Sequence, residues 1–155
     1  MKDIRGKMDA STKQFAVVVS RWNELITKEL LAGALDELEK HGAKDVIVVH
    51  VSGTWEIPPV TKKLLESKKR VDGVVALGCI MQGQTPHAKI LGGDVGGALM
   101  GLQTEYARAV TWGILTPDTQ DQALDRAGLK MGNKGREAAL AAIELADVLS
   151  QIEAL

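Results

Sequence analysis

Four short runs of apolar, largely β-branched residues are spaced along the chain. They cover residues 15–20, 45–51, 73–78 and 111–116, and each is apolar almost throughout. Strands that are buried on both faces have this pattern, which is typical of a parallel sheet covered by helices. The runs therefore predict four strands of one parallel sheet.

The segments between and after these runs repeat apolar residues at three- and four-residue spacing. They predict helices that begin near Leu25 and end before Gly42, then cover 57–67, part of 94–107, the segment after 116–118, and 135–149. Strands that alternate with helices predict a three-layer α/β/α sandwich of the doubly wound, flavodoxin-like type, with a central four-stranded parallel sheet. Residues 1–12 have neither pattern and are predicted to form an N-terminal arm.

Composition narrows the class of protein. The 155 residues suit one domain, and 19 basic against 20 acidic residues leave a net charge of −1. This balance argues against a nucleic acid or a membrane surface as partner and favours a small ligand. A single cysteine, Cys79, cannot form an intramolecular disulfide. Together with the lack of an apolar signal segment, it predicts a cytoplasmic protein.

Polar and aromatic residues follow the predicted strands at the edge where ligands bind in open α/β sheets. Trp22 follows the first strand and Trp55 the second. Trp22 suits a platform for stacking on a planar ring, but it could equally be a surface residue that packs the first helix against its neighbour. Trp55 could simply pack under its own loop. Glu56 begins a helix, so favourable interaction with the helix dipole alone could explain it.

Two further segments carry residue types suited to phosphate and proton transfer. His87 ends the polar segment after the third strand, where Gly83 and Pro86 predict a rigid turn, and histidine titrates near neutrality. Arg126 and Lys134 flank a glycine-containing connection and could bind phosphate or remain solvated charges. No nucleotide-binding loop pattern and no spacing of metal ligands is present.

The ordered motifs along the chain resemble the 6,7-dimethyl-8-ribityllumazine synthase family of riboflavin biosynthesis. The resemblance covers nearly the whole chain and rests on the motifs RGKMDA, SRWN, GTWEIP, ALGCIMQGQTPH, WGILT and DQALDRAGLKMGNKGREAA. It implies a transferase that needs no cofactor and condenses 5-amino-6-(D-ribitylamino)uracil with 3,4-dihydroxy-2-butanone 4-phosphate. It also implies a site shared by neighbouring subunits of a pentamer, with a shell of sixty subunits favoured because the connection after Arg126 has no insertion.

The resemblance also implies a role for individual residues. His87 matches the proton-transfer histidine, and Arg126 matches the phosphate-binding arginine from the neighbouring subunit. Trp22 matches the aromatic that stacks on the pyrimidine. The ribityl-binding loop matches Gly53, Thr54, Trp55 and Glu56, and the segment beside the uracil matches Ile80 and Met81. The phosphate turn matches Gln84 and Thr85. The neighbour's aromatic matches Trp112, and two polar positions match Lys134 and Glu137.

Three positions depart from the family pattern. Gln82 replaces the usual arginine, and Ala88 and Lys89 replace the common Phe-Asp pair after the histidine. These changes keep open a non-catalytic homologue that binds flavin or forms a shell. An archaeal-type riboflavin synthase is a further enzymatic alternative. A flavodoxin-like or receiver-like signalling domain is disfavoured, because the segment after the first strand has neither a phosphate loop nor an acidic pair.

Overall fold

A computed structural model describes all residues from 1 to 155 and contains one four-stranded parallel sheet. Its strands lie in the order β2-β1-β3-β4. All three strand pairings are parallel, so the carboxyl ends of the strands meet at the same edge. The strands are β1 (Phe15–Ser20), β2 (Ile47–Val51), β3 (Gly73–Cys79) and β4 (Ala109–Leu115).

Five helices cover the two faces of the sheet. Helices α1, α4 and α5 pack on one face, and α2 and α3 pack on the other. None of them is both long and apolar enough to cross a membrane. The helices are α1 (Glu24–Lys40), α2 (Ile57–Leu65), α3 (His87–Tyr106), α4 (Gln120–Arg126) and α5 (Lys134–Glu153), and a 3₁₀ turn (Thr54–Glu56) precedes α2.

The strands alternate their side chains between two apolar cores. In β1, Phe15, Val17 and Val19 point into the core beneath α1 and α5, whereas Ala16 and Val18 point into the core beneath α2 and α3. All six residues of β1 are buried. Burial on both faces explains why the strand runs are apolar throughout, and it confirms the predicted α/β sandwich.

Helix α3 begins earlier than the sequence pattern predicts. The expectation placed it within 94–107, with His87 in a turn; instead, His87 is its first residue. Glycines within 92–101 weaken the local helical preference, but Ala88, Val95 and Leu99 share a buried face that packs on the sheet. The other predicted elements agree with the structure to within a few residues at their ends.

Helices α1 and α5 approach each other closely across one face. A Cβ atom built on Gly135 would lie 2.0 Å from the carbonyl oxygen of Leu30, so only glycine fits at this crossing. Asn133, at the start of α5, donates a hydrogen bond from Nδ2 to the carbonyl of Glu29 at 2.9 Å. This contact fixes the beginning of α5, and therefore the connection from α4, against α1.

The segment before β1 contains no helix or strand and lies along α5. The backbone N–H of Lys7 donates to Asp147 Oδ2 at 2.8 Å, and Gln151 donates to the carbonyl of Arg5 at 2.7 Å. Ala10 is fully buried and donates its backbone N–H to His41. The predicted arm is therefore held by hydrogen bonds to both α1 and α5.

Candidate functional site

A cleft of about 360 Å³ opens at the carboxyl edge of the sheet, beyond the ends of β1, β2 and β3. Ligands of open α/β sheets bind at this edge. Its walls combine two indole rings, one carboxylate and one imidazole with apolar side chains, and they contain no lysine or arginine. The lining residues are Ser20, Trp22, Asn23, Ser52, Gly53, Thr54, Trp55, Glu56, Cys79, Ile80, Met81, His87, Ala88 and Leu91.

The turn between β1 and α1 presents Trp22 to the cleft. Its backbone N–H donates to the carbonyl of Ser52 at 3.1 Å, which continues the pairing of β1 with β2 beyond the strand. Asn23 follows in the left-handed region, with φ of 64°, and donates from Nδ2 to the carbonyl of Cys79 at 2.9 Å. The backbone of this turn is therefore fixed, while 73% of Trp22 remains exposed and available for stacking.

The turn after β2 is closed by a side chain of its own. Glu56 accepts a hydrogen bond from the Gly53 N–H at 3.0 Å through Oε2. Thr54 is buried beneath this turn, whereas Trp55 is 63% exposed and lines the cleft. Two exposed tryptophans thus border the same cleft from different strand ends, with a carboxylate beside the second.

The backbone continues beyond β3 in an extended form. The N–H groups of Ile80 and Gln82 donate to the carbonyls of Leu115 and Pro117, at 2.7 and 3.0 Å. Because peptide groups alternate in direction along an extended chain, the N–H of Met81 points away from β4. The side chains of Ile80 and Met81 line the cleft, so this segment offers apolar contact to a flat ring.

His87 reaches the cleft from the first turn of α3, not from a loop as the sequence predicted. Pro86 precedes it as the N-cap residue, and its carbonyl accepts a hydrogen bond from the N–H of Ile90 at 3.1 Å. The helix thus fixes the backbone of His87 at the rim, with its side chain exposed. Gln84 and Thr85 lie in the exposed loop just before this helix and are not among the lining residues.

Cys79 lies in the floor of the cleft at the end of β3. Burial raises the pKa of its thiol to about 11, so the thiol stays protonated near neutrality. Its Sγ atom lies 3.8 Å from Sδ of Met81, which is a contact between two soft, polarisable groups. Cys79 therefore contributes shape to the site and is a poor nucleophile.

The remaining charged candidates lie outside this cleft in the same chain. Arg126 ends α4, Lys134 begins α5, and the loop between them is closed by a bridge from Ala127 to Asn133. Lys134 forms an ion pair with Glu137 at 2.8 Å on the exposed surface of α5. The structure thus brings these three charged residues to the α4–α5 connection but does not bring them to the cleft.

Trp112 also lies away from the cleft, on the face of β4 that α3 covers. A Cβ atom built on Gly96 would lie 3.5 Å from its ring, so the indole rests on α3 where that helix has no side chain. The ring remains 37% exposed at the sheet edge, although its neighbours along β4 are buried. An indole in this position can contact another molecule.

Sequence reasoning did not select several residues that line the cleft. Ser20, Asn23 and Ser52 come directly at or after strand ends, so their position at the edge could have indicated them. Ala88 and Leu91 come from the first turns of α3, which the pattern did not predict to be helical. No group of three histidine, cysteine or carboxylate side chains comes together as a metal site.

Comparisons with known proteins assign the chain to a family. The family model described as 6,7-dimethyl-8-ribityllumazine synthase matches residues 12–150. Proteins of that name from Protochlamydia amoebophila and Kosmotoga olearia are each 41% identical to the chain over 157 aligned positions. The alignments cover the whole chain, with 91% of the first relative and 100% of the second. The chain therefore belongs to the 6,7-dimethyl-8-ribityllumazine synthase family.

Proposed function

We propose that the chain is a 6,7-dimethyl-8-ribityllumazine synthase domain, a transferase of riboflavin biosynthesis. It condenses 5-amino-6-(D-ribitylamino)uracil with 3,4-dihydroxy-2-butanone 4-phosphate, and lumazine, phosphate and water are the products. The observation that carries this proposal is the cleft bordered by Trp22, Trp55, Glu56 and His87, in a chain whose family carries that name. Aromatic faces, a carboxylate and an imidazole suit a flat ring that carries a polyhydroxy chain.

The uracil ring stacks on Trp22, and the segment from Ile80 to Met81 borders its other side. The exposed indole supports the contact with Trp22, and the extended backbone beyond β3 supports the contact with Ile80 and Met81. The ribityl chain lies along Gly53, Thr54 and Trp55, where Glu56 offers carboxylate oxygens to hydroxyl donors. The cleft has the size of a site for a small molecule.

The condensation is a sequence of additions and proton transfers. The 5-amino group of the uracil attacks the ketone and loses water to form an imine. Loss of a proton from the adjacent carbon then expels phosphate, and the enol that remains tautomerises to a ketone. The ribitylamino nitrogen attacks this ketone, and loss of a second water closes the ring. Each proton transfer needs a group that is active near neutrality, and His87 at the rim is the candidate.

Two copies of the chain build one complete site in this proposal. The cleft contains no lysine or arginine, yet one substrate is a phosphate ester that needs a cation. Arg126 and Lys134 lie exposed or partly exposed at the α4–α5 connection, and Trp112 is partly exposed at the sheet edge. We assign Arg126 of one copy to the phosphate in the cleft of the next, beside Gln84 and Thr85. Lys134, Glu137 and Trp112 complete the rim.

Self-association follows from this assignment. We propose a cytoplasmic homo-oligomer of pentamers, with sixty subunits as the closed form, in keeping with the short connection from Arg126 to Lys134. In a closed symmetric ring, Arg126 of each copy lies at the cleft of the next copy, so every cleft has an arginine beside it. Sedimentation of the purified chain distinguishes the mass of a pentamer from that of a sixty-subunit shell. A monodisperse monomer at enzymatic concentrations would contradict the shared site.

The test of the function is formation of fluorescent lumazine from both substrates. We expect product well above the protein-free reaction. For Arg126→Ala, we expect the KM for the butanone phosphate to rise about tenfold or more, with little change for the pyrimidine. Lys130→Ala is the matched control, because it removes an exposed cation from the same connection. A folded, assembled protein without turnover would indicate a homologue that only binds flavin or forms a shell.

A further inference from the structure

The hydroxyl of Ser20 has no hydrogen-bond partner, although only 1% of this residue is exposed. Ser20 is the last residue of β1 and lines the cleft. Two other buried side-chain atoms also have no hydrogen-bond partner: Oγ1 of Thr61 and Nε of Arg108. Neither residue lines the cleft. Buried polar groups are nearly always hydrogen-bonded, so an unpaired hydroxyl at a ligand site indicates a bond that forms with the ligand.

The surroundings of Ser20 show which part of a ligand it would meet. A Cβ atom built on Gly78 would lie 2.9 Å from Oγ of Ser20 and 2.6 Å from Cγ2 of Thr54. Ser20 and Thr54 therefore converge above the bare backbone of Gly78. Ser20 also pairs in register with Val51, directly before the turn of Ser52 and Gly53. The hydroxyl thus lies next to the turn assigned to the polyhydroxy chain.

We propose that Ser20 is a specificity-determining residue that hydrogen-bonds a hydroxyl of the ribityl chain. This inference rests on the proposed function, because it takes the pyrimidine with its polyol as the occupant of the cleft. A serine hydroxyl both donates and accepts, so it suits a carbinol group in either direction. Rotation about its Cα–Cβ bond turns the oxygen toward the ligand without backbone movement. The bond gives the site a preference for a polyol over an alkyl chain.

Because no group of the protein bonds Oγ of Ser20, removing this hydroxyl should affect stability and ligand binding in opposite directions. Ser20→Ala removes a hydroxyl that contributes no bond to the fold, so unfolding of the variant should need at least as much denaturant. The same change should weaken binding of ribitylaminouracil about two- to tenfold, as expected for one lost hydrogen bond. Thr61→Val is the matched control: it also removes an unpaired buried hydroxyl and should leave binding unchanged.

The experiment measures Kd by titration calorimetry for ribitylaminouracil and for the same uracil carrying an ethyl group in place of the ribityl chain. We expect Ser20→Ala to weaken binding of the ribityl compound alone. Equal weakening of both compounds, or no change in either, would overturn the proposal. So would loss of ribityl binding in Thr61→Val.

Turnover of the wild-type protein separates this inference from the proposed function. Binding that depends on Ser20 in a protein without turnover would support the inference and contradict the synthase function. Turnover that is indifferent to Ser20→Ala, in both kcat and the KM for the pyrimidine, would leave the function intact and overturn the inference. A wild-type protein that does not bind ribitylaminouracil would contradict both.

Discussion

His87 is the residue on which the proposed proton transfers depend, and helix α3 holds its backbone at the rim of the cleft. We expect His87→Ala to lower kcat about a hundredfold, the low end for loss of a general acid or base, while the KM values change little. His50→Ala is the control, because His50 is exposed on β2 outside the cleft. Unchanged turnover in His87→Ala would make this residue a spectator.

Asn23 contributes both a backbone conformation and a hydrogen bond to the turn that carries Trp22. Its positive φ favours asparagine or glycine, and its amide bonds the carbonyl of Cys79. We expect Asn23→Ala to lower the free energy of unfolding by about 1–3 kcal/mol, since it loses both contributions. Asn23→Gly keeps the conformation and should lose less, about 1 kcal/mol. Denaturant unfolding of the two variants checks this order, and equal losses would contradict it.

The sequence indicated several residues that line the cleft, but it did not indicate how their neighbours pack around them. Trp22, Trp55 and His87 follow strand ends, and the structure places them in one cleft; their chemical roles stay predictions. The unpaired hydroxyl of Ser20 could not be predicted, because its lack of a partner depends on how three strand ends pack around Gly78. Such convergence has no signature in residue spacing.

Among the elements, the contact of α1 with α5 makes the strictest demand on a side chain. Gly135→Ala would place a methyl group against the backbone of Leu30, which cannot move independently of α1. We expect a loss of at least about 2 kcal/mol in the free energy of unfolding. Gly101→Ala in α3 is the control, because nothing lies within 4 Å of its Cβ position. Similar stability of the two variants would contradict the close packing.

The N-terminal arm depends on one carboxylate of α5. The N–H of Lys7, with further bonds from Gln151 and Lys13, holds the pKa of Asp147 below its usual value. A lowered pKa in the folded state means that the stabilisation is present above the unfolded pKa of about 3.9 and is lost as the pH falls below it.

Hydrogen exchange of the Lys7 amide therefore tests the arm contact. We expect protection of this amide to fall as the pH drops below the unfolded pKa of about 3.9, because protonation of Asp147 weakens its acceptance of the Lys7 N–H. In Asp147→Asn, protection should be lower at neutral pH and should lack this acid step. Equal protection in the two proteins at pH 7 would show that the carboxylate does not hold the arm.

Most elements were predictable because each strand is buried on both faces, which gives a continuous apolar run. The start of α3 was not, since its glycines hide the helical pattern that Ala88, Val95 and Leu99 share. Packing against the sheet, which acts across the fold, outweighs the low helix preference of those glycines. For the same reason, the sequence did not indicate that Ala88 and Leu91 line the cleft.

In the whole molecule, we propose that one site takes its cleft from one copy and its phosphate-binding cation from another. Within a single chain, Arg126 ends α4 and does not line the cleft that contains His87. The sequence predicted the sandwich and the family, and both are confirmed. Sharing between copies stays a prediction, because it depends on contacts outside one chain.

Mixing two impaired variants checks this sharing when turnover is measured at butanone phosphate concentrations well below KM, where both variants are slow. His87→Ala has a defective cleft with an intact arginine, and Arg126→Ala has the reverse. If the site is shared, subunits mixed in equal amounts and reassembled should regain roughly one quarter of the wild-type kcat/KM for the butanone phosphate, because random pairing joins an intact cleft to an intact arginine at that frequency. If each site belongs to one chain, the mixture should show only the average of the two variants' residual activities, and the account would be contradicted.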